Sequence, residues 1–235
     1  MKLKDFLEEL SWGEFSNIAL GNEGSGVIAP EKIPLVVAIL NDGLVQMYSQ
    51  FMLKEGNVLV EMKDNITYYV LDSKYAESSY DPLMVAYPYI KDTKEDPFRD
   101  DVLKILEVID QDGNHYPINN HDHPFGVFIT DKLNVLQIPK PKDGVGLGVR
   151  YQAAHEKLDA ENLEGELSIP LPLRAALKYY IASRIYQNMN MEGALRTSSV
   201  YESKYKELLA QVTLTDSLST SEVRAADKFT LRGWV

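Results

Sequence analysis

The period of the apolar residues changes twice along this chain, and that double change limits the folds open to it. Between 31 and 54, Ile33, Val36, Val37, Leu40, Leu44, Met47, Tyr48 and Phe51 recur at helical spacing. Pro30 and Pro34 stand where the first turn of a helix tolerates proline. The spacing predicts a helix from about 31 to 54, ended before Gly56. From 57 to 169 the pattern shortens to NVLVEM, NITYYVL, MVAYPYI, VLKILEVID, FGVFIT, NVLQIP and VGLGVRYQAA, separated by Gly, Pro, Asn and Asp. Such runs predict the strands of an antiparallel sandwich or small barrel, with Asp112-Gly113 as a hairpin turn. Helical spacing then returns with Leu173, Leu177, Tyr180, Ile181 and Ile185 behind Pro170 and Pro172. A further helix is predicted from Ser199 to about Val212, after NMNMEGALRTS, a turn with Gly193 as breaker. The opening MKLKDFLEELSW reads as a short amphipathic helix, because Asp5, Glu8 and Glu9 stand where a signal peptide has its apolar core.

The predicted fold class is therefore α+β. A helical bundle framework, 1–56 with 170–212, carries an inserted antiparallel β-sandwich or barrel module, 57–169, and an extended C-terminal arm, 213–235. The insertion follows from burial: the stripe of the 31–54 helix needs a partner, and the two C-terminal helices are the expected one.

Charge divides at the same places. The 235 residues hold 24 Lys+Arg against 35 Asp+Glu. Residues 1–56 carry 4 basic and 8 acidic side chains, 57–169 carry 11 and 21, and 170–235 carry 9 and 6. Net acidity argues against a protein that coats nucleic acid, whose affinity comes from neutralising phosphates. With no cysteine there is no disulfide framework, thiolate zinc site or cysteine nucleophile. No apolar run approaches the roughly 20 residues of a membrane span.

Candidate chemistry is sparse. His115, His121 and His123, with Asp122 among them, are metal-ligand types, but a polar loop collects the same residues for turn chemistry. Asp110, Asp112 and Asn114 open like a calcium loop, yet His121 stands at the twelfth position, where a bidentate Glu is needed. GNEGSG at 21–26 lacks the Gly-Lys-Ser/Thr ending of a P-loop. Gly144, Gly146 and Gly148 alternate, thinning one face of a strand so that another chain or layer can approach it. Ser203 and Lys206 have S-x-x-K spacing without its companion motifs, as a solvated helix face does. The expectation is a non-enzymatic protein with no cofactor and no metal. Tyr68, Tyr69, Tyr75, Tyr80, Tyr87 and Tyr89 are either sheet packing or an intersubunit surface. Arg224, Lys228, Phe229, Leu231, Arg232 and Trp234, beyond the last predicted helix, read as a contact to a neighbouring subunit or partner.

The order of these parts resembles the head-to-tail adaptor proteins of tailed bacteriophages, especially the tail tubular A proteins of short-tailed phages. The segments that carry the likeness are IPLVVAILNDGLVQMYSQF, LGVRYQAAHEKL, IPLPLRAALKYYIASRIY and SSVYESKYKELLAQ, followed by the tail. The resemblance implies a structural virion protein, assembled in the host cytoplasm as a ring of about twelve copies. Its implied partners are the portal protein, a tail nozzle or tail tube protein and tail fibres. DNA would pass through its channel without sequence-specific binding, and the C-terminal arm would lie on the portal or a neighbour. The competing expectation is a tail-associated module that binds glycan or receptor through the β region.

Overall fold

The computed structural model describes residues 1–16, 28–123, 126–130, 132–189, 192–215 and 218. Its architecture is α+β, with antiparallel sheets that do not close into a barrel. The chain divides into two compact units, 1–168 and 169–235. Among the described residues, no helix is long and apolar enough to cross a membrane.

The first unit opens with α1, Leu3–Trp12, which buries Leu3, Phe6, Leu7 and Leu10 on one face. A 3-10 turn at Pro30–Lys32 leads into α2, Ile33–Gln50, which buries Val36, Val37, Leu40, Leu44, Met47 and Tyr48. The spacing predicts α2 out to about 54, but Phe51 is extended and the helix stops at Gln50. The buried Gln152 amide donates to the carbonyls of Tyr48 and Phe51, the latter at 3.0 Å, and so satisfies acceptors that a helix end leaves open.

The strands are β1 (Glu55–Glu61), β2 (Tyr68–Val70), β3 (Ile90–Lys91), β4 (Val102–Asp110), β5 (Phe128–Ile129), β6 (Val135–Gln137) and β7 (Gly146–Ala153). They form a four-stranded sheet, β3-β1-β7-β4, and a three-stranded sheet, β2-β6-β5. In the larger sheet Val58 faces Val149 and Val60 faces Leu147. These side chains share one core with Tyr69, Leu71 and Leu136 of the smaller sheet segment. The alternate positions of β1 and β7 carry Glu55, Asn57, Leu59 and Glu61 opposite Gln152, Arg150, Gly148 and Gly146. One buried and one polar face is what period-2 alternation produces.

Of the predicted strands, MVAYPYI is the one that mostly fails: only Ile90 and Lys91 of that region pair. Asp81 diverts its start into a turn, accepting the backbone N–H of Leu83 on Oδ1 and those of Met84 and Val85 on its carbonyl. Pro88 then has no N–H to offer a ladder. The predicted hairpin does form: Gly113 has φ +82°, Asp110 N–H bonds to Asn114 O at 3.0 Å, and Tyr116 N–H bonds to Val108 O at 2.8 Å.

Segment 154–168 ties the helices of this unit together. Asn41 of α2 donates to Leu158 O and accepts from Leu158 N–H, both at 2.9 Å. Leu3 N–H bonds to Gly165 O, Leu167 N–H bonds to Met1 O, and Lys2 and Lys4 grip Glu164.

The second unit contains α3, Leu171–Gln187, and α4, Ala194–Leu214. Helix α3 buries the predicted stripe of Leu173, Leu177, Tyr180, Ile181 and Ile185, with Pro170 just before its first residue and Pro172 in its first turn. Helix α4 begins five residues before the predicted Ser199, directly after Gly193, because the breaker is the glycine itself and ALRTS already carries helical geometry. Tyr180 and Tyr205 pack across the pair with centroids 5.3 Å apart, and Ser198 Oγ donates to Ser183 O in its buried seam.

Candidate functional site

The predicted loop histidines do not converge. His115 Nδ1 lies 2.6 Å from Glu107 Oε1, joining a cross-strand ladder in which Arg150 also binds Glu107 and Glu55. His121 packs against the Phe128 ring at 4.7 Å. His123 lines a shallow cleft with Asp110, Asp112, Asn114, His115, Tyr116 and Lys142. Among the described residues, no three His, Asp or Glu side chains meet as a metal site would require.

The Asp110 carboxylate, the first residue of the calcium-like DQDGN run, holds the hairpin turn. It accepts from the backbone N–H groups of Asp112 and Asn114 and from the Asn114 amide. The Asn114 hydrogen bonds, side chain first, pull its pKa below the ordinary aspartate value. Gly146 and Gly148 are approached by side chains of the flanking strands: a Cβ at Gly148 would sit 3.1 Å from Ile109 Cγ1, and one at Gly146 3.3 Å from Leu59 Cδ1. Ser203 Oγ donates to Ser199 O within α4, and Lys206 pairs with Glu202 at 2.7 Å. GNEGSG and the predicted contact residues Arg224, Lys228, Phe229, Leu231, Arg232 and Trp234 lie outside the described residues.

The tyrosine cluster divides into buried and exposed rings. Tyr69 and Tyr89 are buried edge to face at 5.1 Å, and Tyr75 stacks on Tyr89 at 4.7 Å. Each buried hydroxyl serves both backbone groups of one residue: Tyr89 accepts from Val70 N–H and donates to Val70 O, and Tyr69 does the same with Lys63. Burial pushes both phenols above their ordinary pKa. Tyr68, Tyr80 and Tyr87 are exposed.

Between Tyr80 and Tyr87 the Asp81 turn holds Leu83 at 95% and Met84 at 82% exposure, while Val85 behind them is buried. Two large apolar side chains are thus presented to solvent by a turn whose backbone is pinned. Nothing in YDPLMVAYP distinguishes the exposed Leu83 and Met84 from the buried Val85, so sequence periodicity missed this surface.

A cleft of about 460 Å³ opens beside β1. Tyr151 lies across Gly56 in its wall; its hydroxyl donates to Asp101 Oδ1 at 2.9 Å, and Lys54 Nζ binds Asp101 Oδ2 at 3.0 Å. Burial first, and the Asp101 charge second, raise the Tyr151 pKa. Phe98 meets the same ring edge-on at 6.3 Å, and Asn57, Asp96 and Arg99 line the opening. Nearby on the polar sheet face, Lys63 and Lys91 hold the Glu61 carboxyl down at about 2.

The second unit carries its own mixed surface. Tyr201 lies against Tyr179 at 5.7 Å and Tyr186 at 5.6 Å, and Lys204 Nζ sits 5.4 and 5.5 Å from the Tyr179 and Tyr201 ring centres. Such cation–ring contacts are worth about 0.5–1 kcal/mol at exposed sites.

In comparison with known proteins, no family model matches this chain, and no curated protein matches it.

Proposed function

We propose that the chain is a structural protein of a tailed bacteriophage virion, a head-to-tail adaptor that joins the portal to the tail and continues the DNA channel. It works as a ring of about twelve copies and carries out no catalysis. The observation that supports this most directly is the pinned tip at Leu83 and Met84. A turn that holds two large apolar side chains in water is costly to a protein working alone and useful as a contact in an assembly. The order of helix, β region, helix pair and tail, which carries the resemblance to adaptors, supports the same reading.

The test is electron microscopy of the purified chain mixed with the portal protein of the same phage genome. Rings seated on the portal are expected. Portals that gain no added density across a wide range of protein concentration would overturn the proposal.

A second reading, a glycan- or receptor-binding tail module, draws on the cleft beside β1. There the Phe98 ring adjoins Asn57, Asp96 and Arg99, an apolar face beside planar polar groups, as a sugar would require. Binding on a glycan array that is lost in Asn57→Ala and Asp96→Ala would favour it over the adaptor; absence of binding would remove it.

A further inference from the structure

Two exposed surfaces, one in each unit, are complementary in both polarity and charge. The first is the Asp81 turn with Leu83 and Met84 at its tip. It belongs to a stretch, 77–101, with seven acidic and three basic side chains. Val85 and Tyr89, both buried, anchor it, so the tip is presented in one shape and little conformational freedom remains to be lost on docking.

The second surface is the outer face of α4. Arg196, Val200 and Lys204 follow one another at i, i+4 and i+8, which places them on one side of the helix, and all three are exposed. Beside them Tyr179, Tyr186 and Tyr201 form a floor of half-buried rings, with the Lys204 ammonium over two of them. Segment 171–214 carries six basic and three acidic side chains. An apolar, ring-floored shelf with a cationic rim matches an apolar tip with acidic flanks. Tyr, Met and Arg are also the residue types enriched at the centre of protein interfaces.

We infer that the 80–87 loop of one copy docks on the tyrosine-floored face of α4 in a second copy. Leu83 and Met84 cover the rings and Val200, and the acidic flanks of the loop face Arg196 and Lys204. The contact joins two different patches, so it is heterologous and repeats from copy to copy, as a closed ring needs. The inference rests on the adaptor reading and names the surfaces through which its subunits meet.

A chain without cysteine allows a direct test. Leu83→Cys and Val200→Cys are made as separate variants, both at exposed positions, and mixed in equal amounts under mild oxidation. A disulfide forms only where the two Cα atoms approach within about 7 Å. The expected result is a mixed cross-linked dimer, several-fold more abundant than dimers of either variant alone. Its yield should fall as salt rises from about 50 to about 500 mM, because screening weakens rim charges. Adding Lys204→Glu to the Val200→Cys variant should lower the yield, and Lys204→Arg should preserve it.

Absence of the mixed dimer overturns the inference, as do homotypic dimers only, or an intramolecular bond in a monomer carrying both cysteines. Rings on the portal without the mixed cross-link remove this interface and leave the adaptor reading standing. The mixed cross-link without any ring on the portal removes the adaptor reading and leaves the contact. The alternative occupant of a basic, aromatic face is nucleic acid. Fluorescence anisotropy with a labelled DNA duplex addresses it: binding that Lys204→Glu abolishes, with no mixed cross-link, would assign the face to DNA and overturn the inference.

Discussion

A methyl group at position 56 would overlap the Tyr151 ring, which lies across Gly56 on the paired strand. The ring cannot simply swing away, because its hydroxyl is tied to Asp101, itself held by Lys54. Gly56→Ala is therefore expected to cost about 1–3 kcal/mol, the range for overpacking a dense core, read as a lower urea midpoint. His155 makes a second residue-scale prediction. Its Nε2 accepts the Ser168 N–H at 3.0 Å and its Nδ1 faces Glu156 O, the arrangement of a neutral ring. Burial chiefly, with a smaller contribution from Lys54, lowers its pKa below the ordinary value of 6.5, against an opposing pull from Glu156. The unfolded chain then takes up this proton at a higher pH than the folded one. Stability conferred by neutral His155 is present above about pH 6.5 and declines as pH falls from there through the folded pKa. Urea titrations from pH 8 to pH 5 should show the wild type losing more of its midpoint between pH 7 and 5.5 than His155→Gln; equal losses would contradict this.

At the scale of elements, the ends and ties of α2 depend on single amides supplied from far along the chain. Gln152 closes the C-terminus of the helix and Asn41 clamps its side to Leu158. Gln152→Leu leaves buried helix carbonyls without a donor and is expected to cost about 1–3 kcal/mol, with Asn41→Ala in the same range. Both are checked by equilibrium denaturation, where an unchanged m-value would show that the native fold is kept. The helices were legible because an apolar stripe at 3.6 spacing is a local property; α3 appears where the spacing predicts it, with Pro170 and Pro172 at its start. MVAYPYI misled because residue composition does not reveal a turn pinned by the Asp81 carboxylate and carbonyl.

At the scale of the whole molecule, charge separates as structure does. Residues 1–168 hold 15 basic and 29 acidic side chains, and 169–235 hold 9 and 6. A net acidic protein in which only one unit has a net positive balance is suited to meeting copies of itself or an acidic partner, and poorly suited to gripping DNA along its whole surface. Residues 224–235, with Arg224, Lys228, Phe229, Leu231, Arg232 and Trp234, are proposed to anchor the ring to the portal. Deleting them should abolish co-sedimentation with the portal and leave the thermal unfolding midpoint unchanged. Attachment that survives the deletion would remove that role.

Apolar periodicity and turn residues alone determined the α+β class, the identity of each helix, most strands and the Asp112-Gly113 hairpin, because each of these is decided by neighbours within a few residues. The tertiary structure decided the strand order β3-β1-β7-β4 and the division of the tyrosines into buried Tyr69 and Tyr89 and exposed Tyr80 and Tyr87. It also decided that Leu83 and Met84 stay uncovered, and that His155, outside the loop cluster, is bonded through both ring nitrogens to backbone. The physical reason is the reach of the contacts. Asn41 meets Leu158 across 117 positions and Gln152 meets Tyr48 across 104, so the partner that buries or satisfies each group is absent from any local window of the chain.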